Sequence, residues 1–355
     1  MNDGNASKCI GLCVRTVVLM SLGVPVAGQV RAPATSSASA SAKEAAAAPR
    51  TAWGHPDLSG IWNNATGTPL ERPDAFADRP ALTEREAAEL AAEAETRRDA
   101  PPRAGDPGTY NAFWSDTGRG VVETRTSLIV DPPDGRIPAL TPAGQKREAD
   151  RAAMRRTRGP ADSHEDRNRW ERCLARGLPM APGPYNNTYQ IFQTPGYVAI
   201  LMEMIHDVRL IPLDGRPHLP SGIRQWLGDS RGRWEGQTLV VETQNFIGEL
   251  DGGDYLPSHR GALFQHRGSG ETLRLTERFT RVDEDTIVYE FTLEDPQTYT
   301  RPWTAEVLMN KTDEQPFEYA CHEGNRGLVN ILTGARADDA AGTPNLGGGS
   351  WTAGR

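Results

Sequence analysis

The chain has no excess of basic residues, no long apolar run, few cysteines and none of the short motifs that mark nucleotide or classical hydrolase sites. Each absence removes a class of function. With 39 Lys and Arg against 47 Asp and Glu, the net charge is −8, whereas a general nucleic-acid binder needs a basic face to neutralise phosphates. The N-terminal apolar stretch Val17 to Val24 is too short to span a bilayer as a stable helix. GxSxG, P-loop and GxGxxG patterns are missing, so nucleotide and classical hydrolase readings lack support. HExxH and close His-x-His spacings are missing too, so neither a metal nor a cofactor is expected. There is no internal repeat. Hydrophobic residues make up 37% of 355, a low share that the Ala-, Gly- and Pro-rich ends dilute.

What is present begins with an export pattern. Lys8 and Arg15 supply positive charge, Val17 to Val24 the apolar run, and Val26-Ala27-Gly28 the small residues of a cleavage position. Residues 1–29 are therefore assigned to a signal peptide, and the mature protein to the periplasm or the exterior. Cys13 lacks the lipobox context of a lipoprotein. Cys9 and Cys13 fall within the signal, which leaves Cys173 and Cys321. Two readings of that pair stand: a disulfide favoured by an oxidising compartment, or two buried thiols packed as small apolar groups.

Residues 30–52 read as a flexible Ala/Ser/Pro linker, 53–336 as one β-rich domain and 337–355 as a disordered tail. Three surface helices are expected early on. Thr83 with Glu86 forms a capping box before Glu84 to Arg98, and Thr141-Pro142 opens a helix through Arg158. Ser163 and Asp166 would cap a third, running through Trp170 to Arg176 and ended by Gly177. From residue 185 strands take over: Thr188 to Gln193, Tyr197 to Pro212, Thr238 to Thr243, Glu271 to Arg281, Thr286 to Glu294, Trp303 to Lys311 and Phe317 to Cys321. Short strands separated by turns, without βαβ alternation, predict a mainly β fold, an antiparallel barrel or sandwich with a few peripheral helices.

Several segments are distinctive as a set: Pro56-Asp-Leu-Ser-Gly-Ile-Trp-Asn63, Trp170-Glu-Arg-Cys173, Pro184-Tyr-Asn-Asn187, Met204-Ile-His-Asp207, Gly228-Asp-Ser-Arg-Gly-Arg-Trp-Glu-Gly236 and Tyr319-Ala-Cys-His-Glu-Gly-Asn325. Together they resemble a family of secreted bacterial proteins, to which no settled activity attaches. The start Gly60-Ile61-Trp62 is also similar to that of lipocalin-like barrels. That likeness implies a Trp plugging one barrel end and a ligand cavity, not a reaction.

Two segments could carry proton chemistry. On a continuous strand Tyr197–Leu210, even positions including Met202, Met204, His206 and Val208 share one face, and Glu203, Asp207 and Arg209 share the other. His206 would then face an apolar interior. The charged trio reads as an ion-pair ladder; Glu203 and Asp207, with Cα atoms about 13 Å apart, cannot form a tight carboxylate dyad. The second segment is Cys321-His322-Glu323-Gly324-Asn325, where a carboxylate could orient an imidazole. His206 and His322 are the expected proton-transfer residues, with Glu323 or Glu203 orienting or sharing that role. Asp229-Ser230-Arg231 reads as an Asp-stabilised turn rather than a nucleophile block. Trp62, Asn63, Tyr185, Asn187, Tyr189, Trp226 and Trp303 are candidate pocket residues for a small organic molecule. The expected function is a cofactor-free lyase, isomerase or cyclase working in a barrel cavity; the alternative is a carrier of a small hydrophobic ligand.

Overall fold

Apolar–polar alternation is the dominant local signal in the second half of the chain, and the architecture follows it. The computed structural model describes residues 48–101, 116, 123–159, 161–167, 169, 171–247 and 272–343. The signal segment, the linker up to residue 47, Trp170 and the tail from residue 344 lie outside the described residues.

The strands are β1 (Gly60–Asn63), β2 (Ile129–Asp131), β3 (Thr188–Gln193), β4 (Tyr197–Met202), β5 (Val208–Pro212), β6 (Asp229–Glu235), β7 (Thr238–Gln244), β8 (Arg274–Arg281), β9 (Thr286–Glu294) and β10 (Trp303–Lys311). They form one antiparallel sheet in the order β5-β4-β3-β1-β10-β9-β8-β7-β6, with β2 also paired to β10. The terminal strands β5 and β6 lie against each other, so the sheet is nearly closed into a barrel. Closure depends on Gly232 of β6. A Cβ there would meet Leu213 Cδ2 at 2.7 Å and Ile211 Cγ2 at 2.8 Å.

Among the described residues three helices accompany the sheet: α1 (Glu84–Arg98), α2 (Pro142–Thr157) and α3 (Arg326–Ala341). None is long and apolar enough to cross a membrane. The Thr83–Glu86 capping box starts α1, and the Thr141 hydroxyl accepts from Gly144 N at 3.1 Å in the first turn of α2. The expected helix through Trp170 shrinks to a single turn, His164–Asp166. Its capping box forms, but Arg167 is already extended (φ −102°, ψ 149°). The residues after it offer no repeating apolar stripe to bury, and a cap alone does not sustain a helix. Conversely, α3 was not expected. Asn325 Oδ1 accepts from Leu328 N at 3.2 Å to start it, and it runs past Arg336 into the presumed tail before ending at Gly342.

The barrel interior is a packed core. Trp62, Val198, Ile200, Ile211, Leu239, Val241, Phe279, Ile287, Tyr289, Phe291, Ala305, Val307 and Met309 are all 0% exposed, so no water-sized void borders them. Two segments cover this core. In the first, Trp62 donates from Nε1 to Leu58 O at 2.9 Å, and the Arg281 guanidinium lies over its ring at 5.2 Å. Arg281 also donates to the carbonyls of Asp57, Asp283 and Glu284, tying the N-terminal segment to the β8–β9 turn. In the second, Met180 N donates to the Tyr289 hydroxyl at 3.1 Å while Met180 O accepts from Asn64 Nδ2 at 2.7 Å.

One ion pair is sealed inside. Arg209 donates to both carboxylate oxygens of Glu277, at 3.0 and 2.6 Å, and the two side chains are 2% and 0% exposed. Tyr289 Oη donates to the same carboxylate at 2.7 Å. Ser230 and Thr243 also accept from the guanidinium, at 3.2 and 3.5 Å, while its buried Nε has no partner among the described residues. Burial works against the Arg209 charge, but Glu277 outweighs it and holds the guanidinium protonated. Burial, with Glu277 beside it, pushes the Tyr289 hydroxyl well above the usual phenol range.

Candidate functional site

His206 occupies a turn rather than a strand. The inward alternation of β4 ends at Met202, and residues 203–207 fold tightly, with Ile205 and His206 at φ of 63° and 46°. Left-handed backbone is unfavourable for a β-branched residue. Ile205 is 2% exposed and Met204 1%, so packing beneath the turn offsets that cost. The turn also shifts the phase of alternation. Val208 and Leu210, expected on the face of His206 and Met202, are 56% and 66% exposed, while Arg209 enters the core. His206 is consequently exposed and does not face the apolar interior.

The expected ladder of Glu203, Asp207 and Arg209 does not form, because each finds a different partner. Arg209 binds Glu277. The Asp207 carboxylate accepts from Arg176 N at 2.9 Å, and burial raises its pKa. Glu203 is 4% exposed and accepts two backbone amides, Thr188 N at 3.2 Å and Phe317 N at 3.0 Å.

The second histidine arrives on a strap. After β10 the chain runs without regular structure to α3, so the strand expected at Phe317–Cys321 is absent. Contacts to the barrel and to the Glu171–Cys173 segment hold the strap instead. Phe317 N is fixed by Glu203, and Tyr319 O accepts from His206 Nδ1 at 2.8 Å. Cys321 is bridged to Cys173 with Cα atoms 5.7 Å apart, and Asn325 Nδ2 donates to Glu171 O at 2.8 Å. Of the two readings of Cys173 and Cys321, the structure has the disulfide.

His322, the residue after the bridge, lies beside His206. Their ring centroids are 6.0 Å apart and the planes are inclined by 59°. Both side chains are exposed, and so is Glu323. The Tyr319 carbonyl can only accept, so Nδ1 of His206 carries a proton, and in the neutral imidazole Nε2 is the free acceptor. The strap therefore orients one imidazole and supplies the other.

The candidate pocket residues fall in several different places. Trp62, Tyr189 and Trp303 are core residues, exposed by 0%, 2% and 1%. Asn63 accepts from Ala65 N at 2.8 Å in a local turn. Asn187 is buried and bonds Gly183 N at 2.6 Å and Gly183 O at 2.9 Å, which shapes the covering segment. Tyr185 is half-buried near Arg176, and Trp226 is half-buried in the turn before β6. Large aromatic side chains carry the same composition signal in a core as in a pocket, and packing claimed Trp62, Tyr189 and Trp303.

One cluster was missed. His218 Nδ1 lies 2.8 Å from Asp229 Oδ2, which also accepts from Leu219 N at 2.9 Å, and Arg231 donates to Asp229 Oδ1 at 2.6 Å. Asp229 opens β6 instead of stabilising a turn. Its carboxylate fastens the 217–219 segment to the barrel, and the neighbouring Arg231 balances its charge. Ser230, next in the chain, points inward to Arg209 and Thr243. The described residues also line a shallow cleft of about 350 Å³ between Asp162–His164 and Leu332, Thr333 and Arg336 of α3. Comparison with protein-family models, with curated proteins and with solved structures found no match for this chain.

Proposed function

We propose that this protein is an exported, cofactor-free acid–base enzyme of the lyase, isomerase or cyclase type, working on a small organic molecule at the rim of the barrel. The observation that carries this reading is the pair of exposed imidazoles, 6.0 Å apart, with the His206 tautomer set by a backbone carbonyl. Imidazole exchanges protons near neutral pH, so one ring can serve as base while the other serves as acid. His206 Nε2 takes a proton from the substrate, His322 returns one to the product, and solvent restores both rings. Glu323 lies next to His322 in the chain and can share the acid–base role.

The export reading rests on the N-terminal pattern, on the Cys173–Cys321 bridge and on the resemblance to secreted bacterial proteins. The alternative, a carrier of a hydrophobic ligand, needs a chamber in the barrel. Among the described residues, core side chains with no exposed surface favour the rim over the lumen as the place of reaction.

The test needs no known product. A panel of small aldehydes, ketones and 2-oxo acids is incubated with the protein in deuterated buffer, and loss of C–H signal is followed by NMR. Exchange above the buffer rate, falling on the order of 100-fold in His206→Asn and in His322→Asn, is expected. Exchange that persists in the double variant rejects the assignment.

A further inference from the structure

We infer that Glu203 is a positioning residue for the His206–His322 pair, acting through the strap and not on the substrate. The inference rests on the reading of those histidines as the acid–base pair. Glu203 directly follows β4 in the sequence, and its side chain is buried at 4% exposure. One carboxylate oxygen accepts from Thr188 N, and Glu203 N donates back to Thr188 O at 3.0 Å. These two bonds anchor the residue to β3. The other oxygen accepts Phe317 N at 3.0 Å, which fixes the start of the strap. The disulfide fixes the strap four residues on, at Cys321. Between the two anchors lies Tyr319, whose carbonyl orients His206, and immediately after the second lies His322.

Phe317 is 76% exposed, so its side chain packs little against the barrel. The backbone bond to Glu203 fastens that end. A buried carboxylate accepting two amides is a strong and directional anchor. Without it, residues 317–320 pivot about the disulfide. The Tyr319 carbonyl then leaves His206 Nδ1, and the histidine returns to the tautomer mixture of a free imidazole.

The experiment uses the full-length mature protein and two independent variants. Glu203→Ala removes the acceptor. Phe317→Pro removes the donor at an exposed position and keeps the Glu203 side chain with its bonds to Thr188, so it decides the matter if Glu203→Ala does not fold. Imidazole-nitrogen NMR reads the His206 tautomer, and the cross-relaxation between the His206 and His322 rings reads their proximity. The expected result is loss of the fixed Nδ1–H tautomer and of the ring-to-ring signal, with near-UV circular dichroism of the aromatic core unchanged. Substrate hydrogen exchange should slow on the order of 100-fold, the usual cost of a misplacement of about 1 Å. A folded Phe317→Pro variant with the wild-type tautomer and ring contact overturns the inference. Absence of exchange in the wild type instead defeats the proposed reaction, and it leaves the NMR result on the strap standing.

Discussion

A single charged pair dominates the interior. Arg209 and Glu277 are 3% and 0% exposed, and two hydrogen bonds join them. Removing either partner strands a charge away from water, so Glu277→Leu should cost about 3–5 kcal/mol in urea unfolding. Replacing both, as Arg209→Met with Glu277→Leu, should recover most of that loss. A single variant within about 0.5 kcal/mol of the wild type would mean that the pair is hydrated, against the burial seen here. Nothing in the sequence marks Arg209 as a core residue. Its inward placement depends on the tight turn at 203–207, which shifts the alternation of the following strand.

Among the elements, α1 was fully legible, because its signals are local. Thr83 and Glu86 lie three residues apart and cap each other, and no tertiary partner is needed to read them. The Thr83 backbone amide, with Arg79 and the Thr83 hydroxyl, lowers the Glu86 pKa from 4.5 to about 2. A carboxylate depressed in the folded state contributes fully above its unfolded pKa, and the contribution is lost as pH falls through its folded pKa. The first turn of α1 should therefore fray between pH 4.5 and about 2, read as faster amide exchange at Glu86 and Ala87. In Glu86→Ala that exchange should be fast already at neutral pH, with little further change on acidification. The strap is the opposite case. Tyr319-Ala-Cys-His322 looks like a strand end in composition, yet it has no ladder partner and owes its shape to Glu203, Cys173 and Glu171.

Two features govern the whole molecule. The Cys173–Cys321 bridge joins positions 148 apart, and a loop of that length corresponds to about 5 kcal/mol of restricted unfolded-state entropy. Reduction, or Cys173→Ala with Cys321→Ala, should lower Tm by about 10 °C in calorimetry. An unchanged Tm would mean that the unfolded chain is already compact there. The second feature is the seam between β5 and β6. Gly232→Val places new methyl groups against Ile211 and Leu213 and should destabilise by about 1–3 kcal/mol, measured by urea unfolding. Wild-type stability in that variant would show that the seam is loose and the barrel not effectively closed.

By itself the sequence determined the class of fold, the span of β3, β9 and β10, the capping of α1 and the pair of histidines worth watching. Those depend on periodicity and nearest neighbours, which one chain carries in full. Tertiary structure decided which residues face inward after residue 203, and that α3 continues beyond Arg336. It also decided that His206 and His322, more than a hundred positions apart, meet outside the core. Such contacts come from closure of the sheet and from a disulfide, both of which join distant positions through space, and local pattern holds no record of either.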